Sequence, residues 1–310
     1  MSAPRAGRTL IPPPLRPGDR IGICAPGGPV RAAALDGGLA YLEARGYRPV
    51  AGRFLRERHG YLAGSDRHRL EDLQGFLADR SVRAVWFARG GYGTGRIIAD
   101  VDLSPLRRHP KALIGYSDLT VLQAAADRAL GLCTFHGPLV AELGDATAFD
   151  ESSLWDALGG TGRRGARDLP GGTVLRPGEG EGRLVGGCLS VLVGLLGTPF
   201  APRTDGAVLF WEDVNEEPFR IDRMMGHLRL AGVLSRLRGL IVGRLPGCEP
   251  RDAAAALPLD EILAAHLRGT DYPVVTDFPA GHCPGKLTLP LGRRVRLRTD
   301  PPGLRVLSAR

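Results

Sequence analysis

Short apolar runs alternate with amphipathic stretches through the first half of the chain. Residues 20–25 form an apolar run that predicts a strand, closed by the turn Pro26-Gly27-Gly28-Pro29. A helix is expected over about 30–45, capped by Gly46, and a second strand over 47–50. Residues 66–78 place Leu70, Leu73, Phe76 and Leu77 on one helical face, with Ser65 as N-cap. A third strand at 83–88 runs into Arg89-Gly90-Gly91-Tyr92-Gly93-Thr94-Gly95, where a helix begins. A fourth, at 112–114, leads through Ser117 into a helix over 118–130 with Leu119, Val121, Leu122, Ala125 and Leu130 apolar. This strand–turn–helix alternation predicts a mostly parallel sheet flanked by helices, of the Rossmann or flavodoxin kind. Sites in such sheets collect at the carboxyl ends of the strands, where all three glycine-rich or serine turns lie.

The pattern changes after residue 159. Residues 159–182 are rich in Gly, Arg and Pro and carry no period. At 310 residues two domains are the default expectation, because single cores stop growing near about 250–300 residues. The division expected is 1–160, a linker over 161–182, and 183–310. Beyond the linker the pattern predicts a short helix at 188–196, a strand at 207–211 and a long helix over 219–237 carrying Ile221, Met224, Met225 and Leu228. A buried strand at 240–242 and a helix over 253–267 follow, and the alternating tail 286–307 reads as antiparallel strands. The second unit is thus expected to be a β-rich α/β domain.

Composition narrows the function classes. The net charge of +8 invites a nucleic-acid partner, but of the 41 basic residues only Lys111 and Lys286 are lysines. The arginines are scattered and no aromatic RNA-binding motif or finger spacing is present, so no nucleic-acid partner is expected. No run approaches the roughly 18 apolar residues that span a bilayer, and residues 1–20 hold no apolar signal core. The expected place is the cytoplasm, with no membrane partner. Five widely spaced cysteines without a C-x-x-C pair indicate neither a disulfide framework nor a structural zinc site.

The segment from Lys111 to Thr120 carries the sharpest chemical signal. A serine at a strand-to-helix turn exposes its hydroxyl above the sheet edge, and the following N–H groups point toward an oxyanion formed there. Ser117 as nucleophile then needs a histidine and a carboxylate from elsewhere in the chain. Among seven histidines, His59, His68 and His109 lie in arginine-rich surroundings, and His227 and His266 lie inside predicted helices. His136 and His282 sit in glycine-bounded turns, and composition prefers His282 only slightly. Glu212, just past the strand at 207–211, is a well-placed acid, with Asp213 beside it as a rival. The turn at 89–93 also reads as a phosphate loop or a plain tight turn, its dinucleotide fingerprint being imperfect. Cys283 is a minor rival nucleophile, since it adjoins His282 and neighbours in a loop seldom converge.

Seven segments in order then bear on function: Gly60-Tyr61-Leu62-Ala63-Gly64, Ala88-Arg89-Gly90-Gly91-Tyr92-Gly93, Ile114-Gly115-Tyr116-Ser117-Asp118, His136-Gly137-Pro138, Gly186-Gly187-Cys188-Leu189-Ser190, Glu212-Asp213-Val214 with Ile221-Asp222-Arg223, and Gly281-His282. In these the chain resembles the LD-carboxypeptidase family of serine peptidases, which includes murein tetrapeptide carboxypeptidases and microcin-immunity peptidases. The similarity runs from Arg16-Pro17-Gly18-Asp19 to the final strands. It implies Ser117 as nucleophile on the first domain, with Glu212 as orienting acid and His282 as base on the second. Backbone N–H groups of Gly91 and Asp118 are the expected oxyanion donors. Arg89 and Tyr92 are substrate-binding candidates for a small peptide, and no metal or cofactor is expected. The implied reaction is hydrolysis of the L,D-peptide bond before a terminal D-amino acid in murein tetrapeptides, during cell-wall recycling, by a homodimer. Alternatives are a hydrolase of peptide–nucleotide antibiotics that confers self-immunity, and a non-catalytic small-ligand or nucleotide-binding protein. One departure stands out: the turn after the first strand often carries serines in this family, and here it is Gly27-Gly28.

Overall fold

A computed structural model describes residues 9–159, 166–250, 252 and 256–308. The fold is mixed α/β and built on two sheets. The first holds β1 (Arg20–Cys24), β2 (Arg48–Ala51), β3 (Val82–Phe87), β4 (Ala112–Gly115) and β5 (Thr134–His136), all parallel. Their order is β5-β4-β3-β1-β2. Apolar residues run almost continuously along these strands because both faces are covered. On β3, Ala84 and Trp86 enter one core, and Val85 and Phe87 the other. The helix Asp66–Ala78 matches its expected span, and the Ser65 hydroxyl accepts the His68 N–H at its start.

The second sheet contains β6 (Arg167–Pro170), β7 (Thr173–Arg176), β8 (Glu179–Cys188), β9 (Ala207–Glu212), β10 (Gly239–Gly243) and β11 (Val274–Phe278). Of the C-terminal strands β12 (Leu289–Leu291), β13 (Arg294–Thr299) and β14 (Pro302–Val306), the last two complete it. Its centre, β8-β9-β10-β11, is parallel, and antiparallel strands close both edges. Here too alternation splits the strands: Leu209 and Trp211 face one core, Val208 and Phe210 the other.

Four expectations differ from what is observed. The stretch 161–182, expected as a linker, contributes β6, β7 and the start of β8, while 160–165 lie outside the described residues. β6 and β7 are edge strands with half their residues exposed, so no apolar period marks them. The tail is antiparallel as expected, but β12 leaves the second unit and pairs with β5 at the edge of the first sheet. The long helix expected over 219–237 is Pro218–Leu230; Gly232 at φ +75° turns the chain, and Leu234 and Leu237 are buried from the turn that follows. The helix expected over 253–267 is Leu259–His266, and residues 253–255 lie outside the described residues.

The two sheets meet along β8 and the helix Thr120–Leu130. There Arg183 pairs with Asp127, and the Cys188 N–H donates to Thr120 Oγ1 at 3.0 Å. Lys286, almost wholly buried, bonds Glu142 from across the boundary at 2.8 Å.

Candidate active site

Ser117 stands where β4 turns into a helical segment. Its φ of +67° is left-handed, a conformation that costs a non-glycine residue about 1–3 kcal/mol unless its surroundings over-determine it. The surroundings do so here. Gly90 presses on the serine so closely that a Cβ there would lie 2.8 Å from Ser117 Cβ and 3.0 Å from Oγ. The Gly90 carbonyl in turn accepts the Gly28 N–H at 2.7 Å, while Gly91 adopts φ +89° beside Gly28. A side chain at Gly27 would meet both Gly90 O and Asp118 Oδ2 at 2.6 Å. In this chain the Gly27-Gly28 turn is therefore a packing surface for the Gly90-Gly91 turn, with no room for a hydroxyl-bearing side chain at 27 unless neighbours move.

Two buried charges brace the same turns. Asp118 Oδ2 accepts from Thr94 N at 2.8 Å and from Thr94 Oγ1 at 2.7 Å. Burial raises the Asp118 pKa, and the Thr94 hydrogen bonds oppose that rise. Arg69 donates to the carbonyls of Pro26 and Gly93, tying the turn after β1 to the turn after β3. The signal for Arg69 was present in the sequence: it lies four residues before Leu73, on the buried face of its helix.

Glu212 is the last residue of β9 and is wholly buried. Its Oε2 accepts from His282 Nδ1 at 2.6 Å and from the His282 backbone N–H at 3.1 Å. Gly281, at φ +103°, permits that closeness, since a Cβ there would sit 2.5 Å from Oε2. Burial alone would raise the Glu212 pKa, but contacts with His136 and His282 outweigh it and hold the carboxyl at about 2. The acid is thus ionised through the neutral range. With Nδ1–H donating to it, His282 keeps Nε2 as a proton acceptor. The His282 ring packs edge-on to Tyr116, 4.7 Å between centroids, which brings it to the residue preceding Ser117. The Tyr116 hydroxyl donates to Glu142 at 2.8 Å, and burial first, then Glu142, push its pKa far up, so it stays a neutral donor.

The rival residues find other places. Asp213 accepts from Ser190 N at 2.7 Å and Val214 N at 2.9 Å, engaging the start of the helix Leu189–Gly194. Burial raises the pKa of the Cys283 thiol, and it also raises that of Cys188. Both therefore hold their protons, which disfavours a thiolate nucleophile. His68 is engaged by Glu57 at 2.7 Å and His266 by Asp222 at 2.5 Å. His136 corrects the sequence expectation: it lies on strand β5 rather than in a turn, paired with Leu289 and Gly115. Its Nε2 is 3.5 Å from Glu212 Oε1. Of the substrate-binding candidates, Arg89 is exposed and donates to Pro29 O at 2.7 Å, and Tyr92 is exposed with its ring 5.8 Å from that of Tyr61. Sequence reasoning missed the bracing roles of Arg69, Thr94, Thr120 and Lys286, because each acts on a segment distant in the chain. Among the described residues no helix is long and apolar enough to cross a membrane, and no group of three His, Cys, Asp or Glu side chains could hold a metal ion.

Comparison with known proteins agrees across both sheets. Residues 21–137 match the LD-carboxypeptidase N-terminal domain, and residues 181–297 match the LD-carboxypeptidase C-terminal domain. A probable murein peptide carboxypeptidase of Bacillus subtilis is 39% identical over 93% of this chain and 91% of its own length. The muramoyltetrapeptide carboxypeptidase of Oxalobacter formigenes superposes with a TM-score of 0.82 at 30% identity, covering 93% of this chain and 97% of that one. The protein MccF, solved with glutamyl sulfamoyl guanosine, superposes with a TM-score of 0.89, covering 96% and 98%; at 24% identity it shares the fold.

Proposed function

This chain belongs to the LD-carboxypeptidase family of serine peptidases, and from that premise we propose that it cleaves the L,D-peptide bond before a terminal D-amino acid in murein tetrapeptides. We assign Ser117 as nucleophile, Glu212 as orienting acid and His282 as base, the first on the N-terminal domain and the others on the C-terminal domain. The observation that carries this reading is the wholly buried Glu212 gripping His282 beside the strained Ser117 turn.

In this reading Ser117 Oγ attacks the scissile carbonyl carbon while His282 Nε2 takes the hydroxyl proton. The backbone N–H groups of Gly91 and Asp118 receive the oxyanion. Each such donor typically lowers the barrier by about 2.7–4 kcal/mol. The tetrahedral intermediate collapses, the C–N bond breaks, and His282 passes its proton to the departing amine of the D-amino acid. Water then attacks the acyl-enzyme, giving its proton to His282, and Ser117 leaves with that proton restored. Glu212 stays ionised throughout and stabilises the imidazolium. Arg89 is the candidate for the free terminal carboxylate, since its guanidinium has N–H donors beyond the one given to Pro29. Tyr92, exposed one residue past Gly91, is the candidate for contact with the rest of the peptide. The recycling role calls for a cytoplasmic enzyme, working as a homodimer.

The test is release of the terminal D-amino acid from a murein tetrapeptide by the purified protein and by its Ser117→Ala and His282→Ala variants. Both variants are expected to lose at least about a thousandfold in kcat, on the order of what triad removal costs. Activity of Ser117→Ala within tenfold of wild type would remove the nucleophile assignment. Faster turnover of an aminoacyl sulfamoyl nucleoside than of the tetrapeptide would move the substrate assignment to peptide–nucleotide conjugates.

A further inference from the structure

Two imidazoles converge on the Glu212 carboxylate, and one of them, His282, is the base assigned above. Oε2 is occupied twice by residue 282, through its backbone N–H and its ring. Oε1 is buried and faces Nε2 of His136 across 3.5 Å; among the described residues neither atom has a hydrogen-bond partner. A fully desolvated carboxylate with one bare oxygen is costly, because a buried polar group without a partner forfeits its hydration with nothing in return, and more so when charged. Among the described residues, the donor that faces Oε1 is His136.

We propose that His136 is a positioning residue: its Nε2–H donates to Oε1 of Glu212 in the working enzyme and fixes the carboxylate plane that aims His282. The inference rests on the triad assigned above. The ring is built to hold one orientation. It lies on β5 between β4 and β12, is 1% exposed, and packs edge-on to Phe210 at 5.1 Å and against Tyr116 at 5.6 Å. Phe210 lies two residues before Glu212 on β9, so the ring and its acceptor are referenced to one strand. Other titratable groups around this carboxylate are His282, Tyr116, Cys188 and Cys283, with Glu142 and Lys286 behind Tyr116. Both cysteines and the tyrosine hold their protons, so Glu212 is the anion at this point. An Nε2–H on His136 would satisfy the bare oxygen. Catalytic hydrogen bonds are often long in the unliganded state and shorten when substrate binds, and this one has roughly 0.6 Å to close.

Steady-state kinetics on the tetrapeptide test this with His136→Phe, which keeps a planar ring and removes the donor, and His136→Gln, which restores an N–H. Folding is checked by thermal denaturation. The expected result is a fall in kcat of about 10- to 100-fold for the Phe variant with KM within about twofold, and recovery of most of that loss by Gln. A folded Phe variant with wild-type kcat, while His282→Ala is inactive, overturns this inference and leaves the triad standing. An active His282→Ala beside inactive His136 variants overturns both. Nitrogen-15 NMR of the histidines in the unmodified enzyme needs no variant to fold. The proposal expects the proton on Nε2 of His136 and on Nδ1 of His282 at working pH, and an unprotonated Nε2 on His136 overturns it.

Discussion

Thr120 and Cys188 join the two sheets: the threonine hydroxyl accepts the buried backbone N–H of Cys188 at 3.0 Å. Thr120 lies three residues after Ser117, at the start of the helix Thr120–Leu130. Gly187, next to Cys188, leaves room for this contact, since a Cβ there would clash with Thr120 Oγ1. The turn that presents Ser117 is thereby referenced to β8 of the other sheet, which neighbours the strand that ends in Glu212.

Removing that acceptor without changing shape is the direct test of the joint. Thr120→Val leaves the Cys188 N–H buried and unpaired, a loss of about 1–3 kcal/mol. Urea denaturation is expected to show a lower midpoint with an unchanged slope. An unchanged midpoint would mean that the contact adds nothing to stability.

Glu212→Gln keeps the size of the side chain and removes its charge. In the proposed mechanism the imidazolium formed on His282 loses its counter-ion, and the His282 tautomer is no longer enforced. In serine peptidases the corresponding amide substitution lowers kcat about 10⁴-fold. A fall of that order in kcat, with KM little changed, is expected on the tetrapeptide. A fall under tenfold would argue against Glu212 as the orienting acid.

The same carboxylate makes stability depend on pH. Its pKa is held at about 2 in the folded protein against an ordinary 4.5. Between those values the unfolded chain binds the proton and the folded one does not, so stability falls as pH falls through this window. The contribution is fully present above about pH 4.5 and is lost as pH falls through about 2. Denaturant midpoints measured from mildly acidic pH downward are expected to drop more steeply for wild type than for Glu212→Gln. Parallel curves would contradict the assignment.

Gly90→Ala places a methyl group against the proposed nucleophile, 3.0 Å from Ser117 Oγ. Gly90 does not adopt a left-handed φ, so the strain is steric and local. A displacement near 1 Å at a reacting group can cost about 10²-fold in rate. Such a loss in kcat is expected with little change in melting temperature, and labelling of Ser117 by a fluorophosphonate probe should slow in step. Wild-type labelling would show that the turn can yield.

The local pattern of the chain was enough for much of the fold. Apolar runs separated by amphipathic stretches marked β1, β3, β4 and β9, and the helix at Asp66–Ala78, because period and caps are properties of neighbouring residues. The turns at Ser117 and Gly90-Gly91 were legible for the same reason. The three residues of β5 were too few to show a period, and the exposed edge strands β6 and β7 carried no apolar stripe.

Choices between near-equivalent residues needed the tertiary structure. His136 and His282 both have glycine neighbours in sequence, yet one lies on a strand with Nε2 3.5 Å from Glu212 Oε1, and the other is hydrogen-bonded to Oε2 at 2.6 Å. Glu212 and Asp213 are adjacent, and successive side chains at a strand end point to opposite sides, so one grips His282 while the other engages the helix at Leu189–Gly194. Sequence determined which segments become strands and helices, since that depends on residues a few positions apart. Only packing decided which distant side chains share one buried carboxylate, because burial and hydrogen-bond geometry are set by segments far apart in the chain, 70 residues in the case of Glu212 and His282.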